Sequence, residues 1–552
     1  MTATKLSIFS AICLGLSLPP VHWSYCIWLA PIGWLVLVLR DQPPGRRGYV
    51  WLWAATFAFW LHYLWGIRSA HPVLYLGWLA LSAYLAAYVP AFVRISRHLV
   101  HRRRIPFVVA APAVWTLLEV ARGYLLSGFS GGLIGHALVR QSWLIQIADL
   151  LGAYTVSWMV LTVASLAMLA FRPGGRRLPA RIAPWLGIGV ILIGSMGYGW
   201  WRLHDLRELP RERDSVLRIA LLQESIDTVF DGEPEKNVER SIEMFRKYLE
   251  LTARVLNEDP DLDLIVWPES AFTSNIPDQL VDSIDDLQAP PGLEERRAEY
   301  QDFVRLRSER FPDKLRALRD LVATRSRRAT HFLVGTDTID YNQNPPQAYN
   351  SCLFISPDGQ LLGRYFKQHP VPFGEYIPFL ASFPSLAQLS PIGAGIAAGV
   401  EPRSFPLGKF RISPSICFES TVPHVIQGQM ASLRRNGQSP DLLVNMTNDG
   451  WFWGSGMLDM QFHSAVFRAI ENRRPFLIAA NTGISAWVRA DGVIERESER
   501  RTVHTIVATV AKQAQNSLYS PLGDLATIVV LGLFLAGGWL LGDGRTNLFA
   551  IR

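Results

Sequence analysis

At 552 residues the chain is too long for one compact domain. Hydrophobic residues make up 49% and charged residues 18%, with 19 Trp and 27 Phe, short of the roughly one quarter charged residues of a soluble protein, so composition argues against a wholly water-soluble chain. The formal charge of +7 would suit a nucleic-acid partner, but the placement of its arginines assigns it to membrane topology.

A membrane span needs roughly 20 mainly apolar residues. In chain order the candidates are 6–22, 24–40, 49–67, 73–95, 105–126, 151–171, 182–201 and 521–541. Pro19 and Pro20 make a short hinge between the first two. The first segment is no signal peptide by pattern, because its only basic leader residue is Lys5 and further apolar spans follow at once. Cys13 and Cys26 lie in these apolar segments and read as small buried hydrophobes.

Arginine placement sets the orientation. Arg40, Arg46 and Arg47 follow the second segment; Arg94, Arg97, Arg102, Arg103 and Arg104 follow the fourth; Arg172, Arg176, Arg177 and Arg181 follow the sixth. The odd-numbered loops carry mainly Arg68 and Arg140. Positive charge marks the cytoplasmic side. The N-terminus is therefore expected inside, seven spans carry the following domain to the opposite face, and the eighth returns Arg545 and Arg552 to the cytoplasm. Glu119 and Arg122, three residues apart within the fifth segment, share a helix face. Either a functional pair or a structural ion pair near the outer surface fits them.

Residues 202–214 (RLHDLRELPRERD) read as a solvated linker. From 216 to 513 the pattern changes to short β-branched runs at 218–222, 262–267, 331–335, 353–356, 442–445, 476–480, 486–489 and 504–510. Helical stretches at 237–256 and 461–473 lie between them, so an α/β layered domain is expected. Cys352 falls in a strand-like run, and 290–328, dense in Arg and Glu, reads as an exposed helical excursion. The expected organisation is a transmembrane domain at 1–201, a linker at 202–215, a catalytic domain at 216–513, and a C-terminal helix and tail at 519–552.

Three segments end strand-like runs with a polar group: Ile265-Val-Trp-Pro-Glu269-Ser270, Tyr365-Phe-Lys367-Gln-His-Pro-Val-Pro-Phe-Gly-Glu375 and Ser415-Ile-Cys417-Phe-Glu419-Ser420. Loops at strand ends are where catalytic groups gather. Together the three supply a base, a cation and a thiol, a full set for nucleophilic acyl transfer. Cys417 is the one cysteine of four among polar and charged neighbours.

In order and context these segments resemble the Glu–Lys–Cys triad of the nitrilase superfamily. With seven preceding spans and one trailing, the chain resembles the bacterial apolipoprotein N-acyltransferase family. Asn445-Met-Thr-Asn448-Asp449-Gly-Trp451-Phe452, Phe467-Arg468-Ala-Ile-Glu471, Asn481-Thr-Gly483 and Trp115-Thr-Leu-Leu-Glu119-Val-Ala-Arg122 add to the match. Departures fall at Ser130, at Trp453 after Phe452, at Met460-Gln461 and at Ile478.

The resemblance implies a multi-pass α-helical membrane domain plus a nitrilase-like αββα sandwich. Glu269 would be the general base, Lys367 the oxyanion-stabilising cation and Cys417 the nucleophile. Glu375, the Phe418 backbone N–H and Glu419 are supporting candidates; Trp451, Phe452 and Asn448 are candidates for a substrate-facing lid. The implied partners are a phospholipid acyl donor, a diacylated lipoprotein acceptor and the bilayer, in the inner membrane with the catalytic domain on the periplasmic face. Neither a cofactor, a metal nor nucleic acid is implied. The alternatives are a membrane-tethered amidase or hydrolase using the same triad on water, and a transporter or receptor with a non-catalytic outer domain, which would have no need of all three groups.

Overall fold

The computed structural model describes residues 1–69, 74–171, 178–205, 216–227, 234–290, 292, 294–372, 374–376, 395–512 and 515–542. Arg172, Arg176, Arg177, Arg545, Arg552, Pro291, Leu293 and the linker residues 206–215 lie outside them.

Among the described residues, four helices are long and apolar enough to cross a membrane: Leu74–Arg102, Phe107–Ser127, Arg181–His204 and Tyr519–Leu540. A fifth crossing is available to the pair Ser142–Leu151 and Tyr154–Ala170, which meet at 116°. Helix Arg46–Tyr63 has 18 residues, about 27 Å at the helical rise, and Ala3–Ser17 and Ser24–Leu39 are shorter apolar helices. The first helix ends at Ser17, short of the expected Val21–His22, because Pro19 and Pro20 lack the N–H a continuing helix needs. The helix from Leu74 runs on past residue 95, closing in a π-turn at His98–Arg102.

Glu119 and Arg122 are buried, but each binds backbone and not the other. Glu119 Oε1 accepts from the Ile134 N–H at 3.0 Å, and Arg122 donates to Gly131 O at 3.1 Å with its guanidinium 5.3 Å from the Trp60 ring centre. Through these backbone bonds they pin the chain between two helices. Arg202 also departs from the solvated-linker reading. It lies inside helix Leu178–Asp205 and donates from Nε to Asp149 at 2.8 Å, so the helix runs beyond residue 201. Arg473 binds the same carboxylate.

The C-terminal half contains strands β1 (Val216–Gln223), β2 (Leu264–Trp267), β3 (Asp278–Leu280), β4 (His331–Asp340), β5 (Gln347–Ile355), β6 (Leu361–Phe366), β7 (Phe405–Leu407), β8 (Phe410–Ile416), β9 (Leu442–Thr447), β10 (Phe476–Ala480), β11 (Ala486–Val488), β12 (Ile494–Glu497) and β13 (His504–Ala511). One sheet has the order β13-β1-β2-β4-β5-β6 with β3 on β4; the other runs β12-β11-β10-β9-β8-β7. Each is parallel at its centre, β1-β2-β4 and β8-β9-β10.

Strand alternation builds the layers. Leu217, Ile219 and Leu221 of β1 face the other sheet and meet Ile412, Val444 and Leu477 in one core. Ala220 and Leu222 point the other way, into a core with helices Pro234–Glu258 and Arg297–Arg325. The second sheet is covered by helices Pro423–Arg435 and Met457–Asn472, whose core is continuous with that of the membrane helices. The result is an αββα sandwich docked on a helical bundle. Every residue of Met457–Asn472 is buried, because one side lies on the sheet and the other on the bundle.

Candidate active site

The turn that carries Glu269 follows β2. Pro268 stops the strand, having no N–H for the ladder, and Glu269 comes next. Gly335 of β4 lies so near that a Cβ there would come within 2.6 Å of Glu269 Cα, so only glycine fits. Glu269 is buried. Its Oε1 accepts from Asn350 Nδ2 at 2.5 Å and from Lys367 Nζ at 3.4 Å; its Oε2 accepts from the Asn448 N–H at 2.7 Å.

Lys367 follows β6 and is fully buried. Its Nζ donates to Glu375 Oε1 at 2.7 Å. Burial alone would lower the ammonium pKa, but the charges of Glu375, Glu269 and Cys417 outweigh it and hold Lys367 above its ordinary value. Glu375 in turn accepts from the Val371 N–H at 2.7 Å and from Asn350 at 3.2 Å.

Cys417 caps β8 at a sharp elbow. Its φ is +50°, a left-handed conformation that a side chain normally avoids, and a short 3-10 turn Cys417–Thr421 leads into helix Pro423–Arg435. Strain of this kind, about 1–3 kcal/mol, is held by surrounding bonds and often marks functional positions. Asn445 Nδ2 supplies one, donating to Cys417 O at 3.3 Å. Burial and then Glu269 push the thiol well above its ordinary value, against the pull of Lys367. Lys367 and Glu269 thus act on the sulfur in opposite senses.

Glu419 is wholly buried and ties two loops together. It accepts from Ile416 N–H at 2.6 Å, Gln368 N–H at 2.6 Å, His369 N–H at 3.1 Å and the Tyr365 hydroxyl at 2.9 Å. The cysteine elbow and the segment after Lys367 thus share one carboxylate. Phe418, half-buried against the bundle core, stacks on His369 with centroids 5.9 Å apart, and His369 Nε2 lies 2.8 Å from Ser127 O at the end of a membrane helix.

Of the lid candidates, Trp451 and Phe452 are half-buried on the turn Asp449–Phe452. Asn448 is placed differently: buried, it binds Glu269 through its N–H, while its Oδ1 accepts from Asn481 Nδ2 at 3.0 Å. Trp453 is exposed, with φ +47° and Arg501 5.8 Å from its ring centre. Arg500 donates to the Gly454 and Ser455 carbonyls at 3.1 and 3.3 Å, so two arginines brace this loop.

Two neighbours of the site carried little signal in the sequence. Asn350, inside β5, joins the two glutamates. Asp337, opposite it on β4, is pushed up to about 6 by burial and the nearby glutamates, and accepts from Thr273 at 3.1 Å. Asp449 is likewise pushed up to about 7, by burial first and by Glu269 second. Among the described residues no group of three or more His, Cys, Asp or Glu side chains could hold a metal ion.

A two-sheet αββα sandwich with a carboxylate, an ammonium and a thiol at three strand ends is a carbon–nitrogen hydrolase domain, and residues 218–517 match that family. Residues 10–166 match the apolipoprotein N-acyltransferase N-terminal domain. An apolipoprotein N-acyltransferase of Rhodopirellula baltica is 30% identical over 573 residues, covering 98% of each chain. One of Geobacter metallireducens is 27% identical over 529 residues, covering 94% of this chain and 91% of that one. The chain belongs to the apolipoprotein N-acyltransferase family.

Proposed function

We propose that the protein transfers an acyl chain from a membrane phospholipid, through a thioester on Cys417, to the α-amine of the N-terminal diacylglyceryl-cysteine of a lipoprotein. The observation that carries this is the convergence of Glu269, Lys367 and the Cys417 elbow on a sandwich whose second sheet shares its core with the membrane helices.

Glu269 takes the Sγ proton, and the thiolate attacks the ester carbonyl of the lipid. Lys367, kept charged by its two glutamates, stabilises the oxyanion with help from the Phe418 backbone N–H. The intermediate collapses, the C–O bond breaks, and the lipid alkoxide leaves with the proton held by Glu269. The acceptor amine then attacks the thioester carbonyl, gives a proton to Glu269, and expels the Cys417 thiolate, which recovers that proton. The products are a lysophospholipid and an amide-linked acyl chain. Splitting the exchange at a thioester gives ping-pong kinetics.

The protein sits in the cytoplasmic membrane as seven spans, a catalytic domain on the periplasmic face and one returning span; the arginine distribution supports this orientation. The bent pair Ser142–Leu151 and Tyr154–Ala170 would form the sixth crossing. Reporter fusions after residue 210 test it, since activity there on the cytoplasmic side would overturn the orientation.

Intact mass of the enzyme isolated from membranes, with and without mild hydroxylamine, tests the chemistry. An acyl adduct on Cys417 that hydroxylamine removes and a lipoprotein amine discharges is expected. A thioester that discharges to water alone would make the protein a hydrolase.

A further inference from the structure

His369 joins the membrane bundle to the turn that bears the nucleophile. Its Nε2 lies 2.8 Å from Ser127 O, and its ring stacks on Phe418, the residue after Cys417. Its backbone N–H and that of Ile416, the residue before Cys417, donate to the same carboxylate, Glu419, at 3.1 and 2.6 Å. Ser127 closes the membrane helix Phe107–Ser127, whose last residues before it, Tyr124, Leu125 and Leu126, are exposed. A tyrosine at the end of a span sits at headgroup level. The imidazole therefore stands between the membrane boundary and Cys417.

This ring has one nitrogen to spare. A carbonyl has no proton to give, so Nε2 carries the hydrogen in its bond to Ser127 O, and Nδ1 of the neutral ring keeps a bare lone pair. Among the described residues Nδ1 has no partner and is not closed off, and His369 is half-buried. Burial first, with Lys367, lowers the ring below its ordinary 6.5, against the Ser127 bond and Glu375. At pH 7 and above Nδ1 is thus an acceptor. The groups around it are otherwise engaged. Lys367 binds Glu375 and Glu269, and Glu419 is filled by its own donors. Tyr376 shares a hydrogen bond of 2.9 Å with the Ser127 hydroxyl, and Tyr124 donates to Asp524 at 3.0 Å. His424, on helix Pro423–Arg435 with its ring centre 6.3 Å away, is held down to about 4 by burial first, then by His369 and Arg468, and stays neutral.

We propose that His369 Nδ1 accepts a hydrogen bond from the α-amine of the diacylated acceptor and holds that amine beside the Cys417 thioester. An α-amine has N–H groups to donate and arrives at neutral pH mainly as an ammonium, its ordinary value lying near 8. Its lipid chains keep it at the membrane boundary, where the ring begins. This rests on the acyl-transfer reading and deepens it by giving the acceptor a site of its own. The donor ester presents no N–H at its reacting carbonyl, so the contact serves the second half-reaction.

The test uses the full chain in detergent or nanodiscs, charged to the Cys417 thioester with phosphatidylethanolamine. Discharge is followed by intact mass at neutral pH as a synthetic diacylglyceryl-cysteinyl peptide is titrated in. His369→Leu should raise the half-saturating peptide concentration about tenfold, the worth of a hydrogen bond to a charged group. Two further variants separate the ring nitrogens. His369→Asn sets an amide oxygen where Nδ1 stands and gives up the Ser127 bond. His369→Gln reaches Ser127 O with its amide N–H₂ and has no acceptor at the Nδ1 place. His369→Asn should therefore recover most of the loss and His369→Gln little of it, and this order decides the matter even if His369→Leu does not fold. The reverse order, or equal saturation in the two, overturns the inference and makes the ring a strut to Ser127. Wild-type saturation in His369→Leu, or a loss of thioester formation as large as the loss of discharge, also overturns it; acyl transfer stands in each of these cases. A wild type that forms no thioester with any lipid, or one that only water discharges, overturns acyl transfer itself, and the inference with it.

Discussion

Asn350 Nδ2 stands 2.5 Å from Glu269 Oε1 and also reaches Glu375 Oε1 at 3.2 Å, so one amide separates two carboxylates that share a single lysine. The strand register makes this possible: Ser351 pairs with Phe366, which brings Asn350 alongside Lys367, and the Lys367 N–H donates to Asn350 O at 2.9 Å. Without the amide, the carboxylates would repel and Glu269 would lose a bond that aims it. Hydrogen bonds to charged groups contribute about 1.5–3 kcal/mol, so Asn350→Ala should slow thioester formation roughly 10- to 100-fold. Asn350→Asp adds a third carboxylate of the same shape. It should be worse at pH 8 and recover toward the wild type at pH 6, as the new acid takes up a proton, whereas Asn350→Ala should show no such recovery. Single-turnover acylation followed by mass at both pH values checks this, and equal behaviour of the two variants would sink the bridging role.

The opposed effects of Glu269 and Lys367 on Cys417 can be separated by alkylation. Glu269 raises the thiol and Lys367 lowers it. Glu269→Gln should therefore move the pH profile of Cys417 alkylation by iodoacetamide to lower pH, and Lys367→Met should move it to higher pH, since only the thiolate reacts. Both variants should lose acyl transfer by at least about 100-fold, Glu269→Gln through lost general acid–base catalysis and Lys367→Met through lost oxyanion stabilisation. Greater thiol reactivity with less turnover in Glu269→Gln is the signature of a base. A profile unmoved in both variants would mean that neither charge faces the sulfur.

The three strand-end groups were legible because each breaks a short apolar run in a recognisable local context: Trp267-Pro268-Glu269, Tyr365-Phe366-Lys367 and Ile416-Cys417. Asn350 was not. The expected strand at 353–356 stopped short of it, because Gln347–Asn350 is polar and its strand character comes from pairing with β4. Strand β8 was legible only at its end, Ser415-Ile416, for a similar reason: Phe410–Ile416 carries Arg411, Ser413, Pro414 and Ser415, and holds its place through β7 and β9. The expected run 151–171 missed the bend at Gly152, where φ is +79° and a preceding short helix turns into the bundle. Arg202 read as linker because its partner, Asp149, lies 53 residues away. Such pairs leave no local pattern.

Glu419 should behave as a structural knot whose loss is felt at both strand ends. It accepts four hydrogen bonds from the lysine segment and the cysteine elbow while fully buried, and burial raises its pKa despite them. Glu419→Gln presents an amide N–H₂ to a set made wholly of donors, so at least one buried donor loses its partner, at about 1–3 kcal/mol each. Lower thermal stability and slower acylation are expected together, with Glu419→Ala losing more of both. An unchanged melting temperature in Glu419→Gln would show that the two loops hold their places without this carboxylate.

Asp449 gives a pH test of the same region. In the folded protein its carboxyl is pushed up to about 7, by burial first and Glu269 second, against an ordinary value near 4 once unfolded. Between about pH 4 and 7 the folded state holds a proton that the unfolded chain has lost. Stability from this group is thus full below about 4 and is lost as pH rises through about 7. Asp449→Asn keeps an oxygen to accept from the Thr447 hydroxyl, which donates to Asp449 Oδ1 at 2.9 Å, and removes the titration. Relative to the wild type, the variant should gain melting temperature as pH is raised from 5 to 8, because only the wild type must bury a new negative charge beside Glu269. Thermal melts of both proteins in one detergent at the two pH values measure it. A difference that stays constant between pH 5 and 8 would mean that Asp449 is ionised throughout, and that the cluster around Lys367 already carries its charge.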